Sequence, residues 1–192
     1  MRHLVLEGPD GGGKTRLAEA LMARFPELLK GDKASTSLRG PVRNLAAWVR
    51  YQYELMDKAP QPFLYDRHPV ISEPIYGPIA RGQAQPGFTP SPWLTSARLN
   101  LQGRTYVIWC IPPLAQCQKA VAEDRDMPGV TENIDQLHAA YLHEMTKWNG
   151  PGIRYDLTST GVFEVTDDGF FQGALNWVDE MSGIFQRQVF RA

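Results

Sequence analysis

No run in this chain of 192 residues approaches the roughly 20 consecutive apolar residues that a membrane-spanning helix requires. The opening stretch, M-R-H-L-V-L-E-G, turns polar too soon for a signal peptide, so a cytoplasmic protein without a membrane partner is expected. Cysteine is scarce. Cys110 and Cys117 are the only two, their spacing is not that of a metal site, and reduced core thiols are expected rather than a disulfide. The four histidines, His3, His68, His138 and His143, are too scattered to form a ligand cluster. Excess charge is lacking too. The formal net charge of -1 gives no global attraction to nucleic acid, although a local basic patch remains compatible with it. Neither an internal repeat nor a low-complexity tract is present.

What remains is ordinary globular material, 43% hydrophobic and 21% charged, in a length that suits one domain spanning 1–192. His3 to Glu7 is a short apolar run that reads as a buried first strand. Leu17, Leu21, Met22 and Phe25 recur at helical spacing over Thr15 to Phe25, and Pro26 ends that helix. A second helix is expected over Val42 to Met56, and Phe63-Leu64-Tyr65 reads as a short strand. Thr105 to Ile111 (T-Y-V-I-W-C-I) is the clearest strand, closed by Pro112-Pro113. Helices are expected from about Leu114 to Ala122 and over Ile134 to Trp148, then a strand over Ile153 to Leu157 and a closing helix over Phe170 to Phe185, capped by Asp167 or Asp168. Gly77 to Pro92 is too rich in glycine and proline for a helix or a central strand and is expected to be a long loop. Strands alternating with helices imply a mostly parallel sheet covered on both faces, with ligands at the carboxyl ends of its strands.

The chemistry concentrates in Gly8 to Thr15, which reads G-P-D-G-G-G-K-T. This is a complete phosphate-binding loop between a predicted strand and a predicted helix. Its glycines let backbone N–H groups point inward at phosphates, Lys14 reaches the β- and γ-phosphates, and the Thr15 hydroxyl ligates Mg²⁺. The second signal is Asp66-Arg67 at the end of the F-L-Y strand. A carboxylate there can hold Mg²⁺ or accept a proton from an acceptor hydroxyl, and the guanidinium can grip a phosphate. Trp48, Tyr51 and Tyr53 offer faces on which a base could stack. Arg39, Arg43 and Arg98 are further candidates for acceptor phosphate contacts.

Glu7 to Thr15 resembles the phosphate-binding loop of the thymidylate kinase family, E-G-x-D-G-x-G-K-[ST], and Asp66-Arg67-His68 resembles that family's D-R-[YWH] motif. The resemblance implies a three-layer α/β sandwich of the P-loop NTPase type with a short lid. Here the lid would be about 123–130, carrying Arg125 over the transferring phosphoryl group. It further implies ATP bound by Gly8, Asp10, Gly11, Gly12, Gly13, Lys14 and Thr15, with Mg²⁺ on Thr15 and Asp66. Lys14, Asp66, Arg67 and Arg125 would carry the transfer, while Glu7 reads as structural. The acceptor would meet Asp10 (at its sugar 3′-hydroxyl), Arg67, Arg39, Trp48, Tyr51 and Glu73. The expected reaction moves the γ-phosphate of ATP to a pyrimidine deoxynucleotide, in a protein that could form a homodimer.

The family's R-x-P-G-G-T segment has no match, and Ser37-Leu38-Arg39-Gly40-Pro41 stands nearest to it. Ser72 to Gly77 follows the Asp-Arg motif where the family has other residues, and D-R-H-P-V-I-S-E is similar to strings in phage-encoded kinases. Two alternatives therefore stand beside the first reading. One is a phage kinase acting on 5-hydroxymethyluracil bases in DNA. The other is an NTP-binding switch or ATPase that transfers to no acceptor.

Overall fold

Strand β1 (His3–Glu7) is buried along its whole length and lies at the middle of the sheet. The computed structural model describes residues 2–36, 40–123, 129–157 and 163–165. The remaining strands of the main sheet are β2 (Leu29–Lys30), β5 (Phe63–Asp66), β6 (Thr105–Cys110), β7 (Gly152–Leu157) and β8 (Phe163–Val165). Their order is β2-β5-β1-β6-β7-β8, parallel throughout except for the antiparallel β7–β8 pair. Two further strands, β3 (Ser35–Thr36) and β4 (Gly40–Pro41), make a separate antiparallel pair. The chain leaves β1 for one side of the sheet and later returns to the other, so β1 lies at a topological switch point. Ligands bind in the crevice that such a reversal opens at the strand ends.

The helices are α1 (Lys14–Arg24), α2 (Leu45–Lys58), α3 (Pro69–Arg81), α4 (Pro92–Arg104), α5 (Leu114–Glu123) and α6 (Ile134–Lys147). The period-two alternation of strand side chains sorts the core into two layers. Leu4 and Leu6 of β1, with Tyr106, Ile108 and Cys110 of β6, pack with Leu17 and Leu21 of α1. Val5, Val107 and Trp109 face the opposite way, into the larger cluster built by α2, α3, α4, α5 and α6. The result is the expected three-layer α/β sandwich with helices on both faces.

Most expected elements occur within a residue or three of their places. The expectation of a loop over Gly77 to Pro92 is corrected: Gly77 to Arg81 belong to α3, which carries Pro74 and Pro78 inside it. A proline inside a helix costs about 3 kcal/mol. Here Val70, Ile71, Ile75 and Tyr76 bury a full apolar face, and that burial outweighs the local cost. The chain then turns back at Gly82 so closely that a Cβ on Gly77 would lie 2.4 Å from the Cα of Ala84. Helix α4 was not foreseen, yet its signal is present. Ser91 caps it, Pro92 stands in its first turn, and Leu94, Ala97 and Leu101 form its buried stripe. The expected closing helix over Phe170 to Phe185 lies outside the described residues.

Candidate active site

The loop of Gly8 to Thr15 begins where β1 ends, and α1 starts at Lys14. Gly8 has φ +148°, and a Cβ there would stand 2.1 Å from the carbonyl oxygen of Cys110 at the end of β6, so only glycine fits. The Lys14 side chain folds back over its own loop, its Nζ donating to the carbonyls of Gly8 (2.9 Å) and Pro9 (2.5 Å). Burial, followed by the nearby Arg67 charge, lowers the Lys14 pKa. An anionic group on the loop would favour its charged form.

The register of the sheet fixes the second motif. Leu6 of β1 pairs with Asp66 of β5, so the Asp66 carboxylate is delivered level with the start of the loop. Arg67 follows with φ 70°, a left-handed conformation unusual for a residue with a side chain. Three contacts hold it there. Its N–H donates to the Leu6 carbonyl (2.9 Å), its Nη2 donates to Asp10 Oδ1 (2.9 Å), and its guanidinium lies 4.3 Å from the centre of the Tyr76 ring. The Tyr76 hydroxyl completes the triangle by donating to Asp10 Oδ2 (2.5 Å). Burial pushes the Asp10 carboxyl upward, but the Arg67 and Lys14 charges and the Tyr76 hydrogen bond outweigh it and hold the pKa below the usual value. Burial also opposes the Arg67 charge, and Asp10 with the tyrosines more than restores it.

A second carboxylate stands beneath this triangle. Glu7 is fully buried, accepting the His68 N–H (2.7 Å) on one oxygen and the Tyr141 hydroxyl (3.1 Å) on the other. Burial raises its pKa to about 7. His68 is likewise fully buried, its pKa lowered by burial to about 3, and its Nδ1 accepts from the Val70 N–H at the start of α3. The step from β5 into α3 is thus tied to β1 and α6 by Glu7, which sets the direction in which Asp66 and Arg67 project.

Beside them opens a small, shallow cleft, lined by Asp66, Arg67, Pro69, Ser72 and Glu73 and by Ala34, Pro41 and Leu45. Glu73 is buried in its wall, with both oxygens accepting from Arg81 Nη2 (2.6 and 2.5 Å) and Oε1 also accepting the Gln85 N–H (2.9 Å). The Gln85 amide in turn donates to the Val42 carbonyl (3.3 Å), tying the loop after α3 to the opposite wall. Thr15 and Asp66 are hard oxygen donors of the kind Mg²⁺ prefers. No cluster of three or more His, Cys, Asp or Glu side chains suited to a metal occurs among the described residues.

Asp10, Lys14, Asp66, Arg67 and Glu73 therefore converge on one end of the sheet. The aromatic candidates do not join them. Trp48 packs against Tyr65 and His68, and Tyr53 stacks on His68 while its hydroxyl donates to the Ala97 carbonyl (2.6 Å). Tyr51 is 54% exposed on α2. Arg98 pairs with Glu144 and lies 5.6 Å from the Trp148 ring, and Arg43 is exposed. Arg39 and Arg125, with most of the expected lid, lie outside the described residues. The sequence reading missed Tyr76 and Tyr141. Tyr141 contacts Glu7 across 134 positions, a relation no local pattern carries. Cys110 and Cys117 are buried thiols, and no helix among the described residues is long and apolar enough to cross a membrane.

No protein-family model and no curated protein matches the chain. Solved structures do match it. The YorR protein of Bacillus subtilis, in complex with phosphorylated GDP, aligns with TM-score 0.62 and 17% identity over 91% of this chain and 97% of that one. This fold is shared with solved structures of kinases. Deoxyadenosine kinase from M. mycoides with bound dATP aligns at TM-score 0.50 and 10% identity, covering 92% of this chain and 99% of its own. A sugar kinase from Janibacter sp. HTCC2649 aligns at TM-score 0.51 and 15% identity, covering 97% and 99%. At these identities the likeness is one of architecture, and the acceptor has to be argued from the site.

Proposed function

We propose that the protein is an ATP-dependent phosphotransferase that moves the γ-phosphate of ATP to a nucleotide-type acceptor seated in the cleft between the end of β5 and α3. The observation that carries this reading is the register that sets Asp66 and Arg67 beside the loop of Gly8 to Thr15. The loop amides and Lys14 would hold the β- and γ-phosphates, and the hydroxyl of Thr15, with the carboxylate of Asp66 directly or through water, would hold Mg²⁺. Bound there, Mg²⁺ would supply charge neutralisation to the phosphates. Arg67, oriented by Asp10 and Tyr76, offers a fixed positive charge beside the γ-phosphate, and Arg125 is the candidate for a clamp from the lid. Similar solved structures include kinases named for nucleosides and sugars, which supports phosphoryl transfer as the reaction. A pyrimidine deoxynucleotide is the acceptor that the sequence motifs favour. A 5-hydroxymethyluracil base in DNA is the second reading, favoured by Asp66 in a cleft wall where it can take a hydroxyl proton. The proposal includes a cytoplasmic setting and a homodimer.

The test is transfer of labelled γ-phosphate from ATP to a panel of deoxynucleotides, nucleosides and DNA, with Mg²⁺ and with excess EDTA. Transfer that requires the metal is expected. Full transfer in EDTA, or ATP hydrolysis with no acceptor labelled, contradicts the proposal, and the second result would favour an NTP-binding switch.

A further inference from the structure

A relay of hydrogen bonds joins helix α3 to the segment that leads from β4 into α2, and both line the cleft. Glu73 of α3 accepts from Arg81 on both oxygens (2.6 and 2.5 Å) and from the Gln85 N–H on Oε1 (2.9 Å). The Gln85 side-chain amide donates to the Val42 carbonyl (3.3 Å), and the Val42 N–H donates to the Ala34 carbonyl (2.8 Å). Glu73, Ala34 and Pro41, the neighbour of Val42, are lining residues of the cleft. The relay has a firm base. Gly82 ends α3 in a left-handed turn (φ +79°), and the returning chain passes Gly77 too closely for a Cβ there. The Phe88 N–H donates to the Gln85 carbonyl (3.0 Å), and the Phe88 ring is fully buried, edge-on to Trp93. Gln85 is thus held through its backbone on both sides while its amide reaches Val42. Glu73 already accepts three hydrogen bonds, so its part is to hold this relay in place.

We propose that Gln85 and Glu73 are positioning residues that fix the width of the acceptor cleft, and that this width selects an acceptor with a one-ring base over one with a two-ring base. This rests on the kinase reading above and adds to it the residues that set acceptor size. The cleft is small, so the second ring of a purine would press Ala34, Pro41 and Leu45 away from α3, against the Gln85–Val42 link. A cleft whose sides are tied in advance holds a ligand that fits it and resists one that needs it wider. The link is one neutral hydrogen bond, which contributes about two- to tenfold to an equilibrium, and the selectivity it adds is of that size. Neither residue needs to touch the reacting atoms. Loss of the link changes which acceptor is held and leaves the transfer step itself alone.

The experiment gives the full chain Mg²⁺-ATP and two matched pairs of acceptors, thymidine with deoxyguanosine and dTMP with dGMP. It compares the native protein with Gln85→Ala, Gln85→Glu and Gln85→Lys, and follows ATP binding by calorimetry and folding by a thermal melt. Every variant keeps the backbone N–H that Glu73 accepts, so the fold should persist. The native protein should prefer the one-ring member of the pair it phosphorylates. Gln85→Ala and Gln85→Glu should reduce that preference in kcat/KM by about two- to tenfold, through a lower KM for the two-ring acceptor, with kcat for the one-ring acceptor unchanged. Gln85→Lys keeps a donor of similar reach and should keep the native preference. A merely structural role would weaken both members of a pair alike. An unchanged ratio in a folded Gln85→Ala protein overturns the inference, as does a native preference for the two-ring member. ATP binding without transfer to any of the four also overturns it. Absence of ATP binding to the native protein instead overturns the kinase reading on which it rests.

Discussion

The proposed donor and acceptor sides of the site are built in opposite ways. The donor side is one contiguous stretch, Gly8 to Thr15, and the Lys14 contacts close over five and six positions. The proposed acceptor side gathers Ala34, Pro41, Leu45, Asp66, Arg67, Pro69, Ser72 and Glu73 from both sides of β5 and is held by longer links, such as Gln85 to Val42 across 43 positions. A local loop is specified by its own backbone, so its chemistry can be read from order alone. A gathered wall is specified by packing, so changes there should act through position as much as through chemistry.

Asp66→Asn sharpens this comparison with the largest expected effect. It keeps the shape of the strand end and removes the charge that holds Mg²⁺ or takes the proton. The turnover number should fall by about 10² to 10⁴-fold with little change in acceptor KM. Steady-state kinetics check this, and a fall below tenfold would show that the acceptor side supplies only binding.

Paired glycine substitutions come next. Gly8→Ala forces a Cβ to 2.1 Å from the Cys110 carbonyl, and Gly77→Ala forces one to 2.4 Å from Ala84. Each should destabilise the protein by about 1–3 kcal/mol in thermal unfolding. The functional outcomes should separate: Gly8→Ala should weaken ATP binding, while Gly77→Ala should weaken acceptor binding and spare ATP. Calorimetry with each ligand decides, and equal loss of both ligands in both variants would erase the distinction between the two sides.

The smallest expected effect is that of Tyr76→Phe, which removes one hydrogen bond to Asp10 and leaves the ring under Arg67. A loss of about 1 kcal/mol, or roughly fivefold in kcat/KM, follows if the triangle orients Arg67. An unchanged kcat/KM would mean that Asp10 suffices alone.

How much could be read in advance follows the same division. The loop, the strand that delivers Asp66-Arg67 and the layered architecture all rest on local patterns, and the structure has them where the sequence puts them. Helix α3 was not legible at all, because Pro74, Gly77 and Pro78 argue locally against a helix, and only the buried face of Val70, Ile71, Ile75 and Tyr76 overrides them. Helix α4 was legible in its Ser91 cap and Leu94-Ala97-Leu101 stripe, but the glycine- and proline-rich run before it obscured that signal. The aromatic run Trp48 to Tyr53 could not be resolved from sequence, since core packing and base stacking ask for the same side chains. Tyr76 and Tyr141 meet Asp10 and Glu7 only once the chain is folded.

The central claim is that the loop at the end of β1 transfers phosphate. Lys14→Ala tests it most directly, with γ-phosphate transfer measured alongside a thermal melt. Lys14 makes its contacts to its own loop, so the fold should persist while transfer falls by at least about 10²-fold. A folded Lys14→Ala protein that transfers phosphate at the native rate would contradict the account.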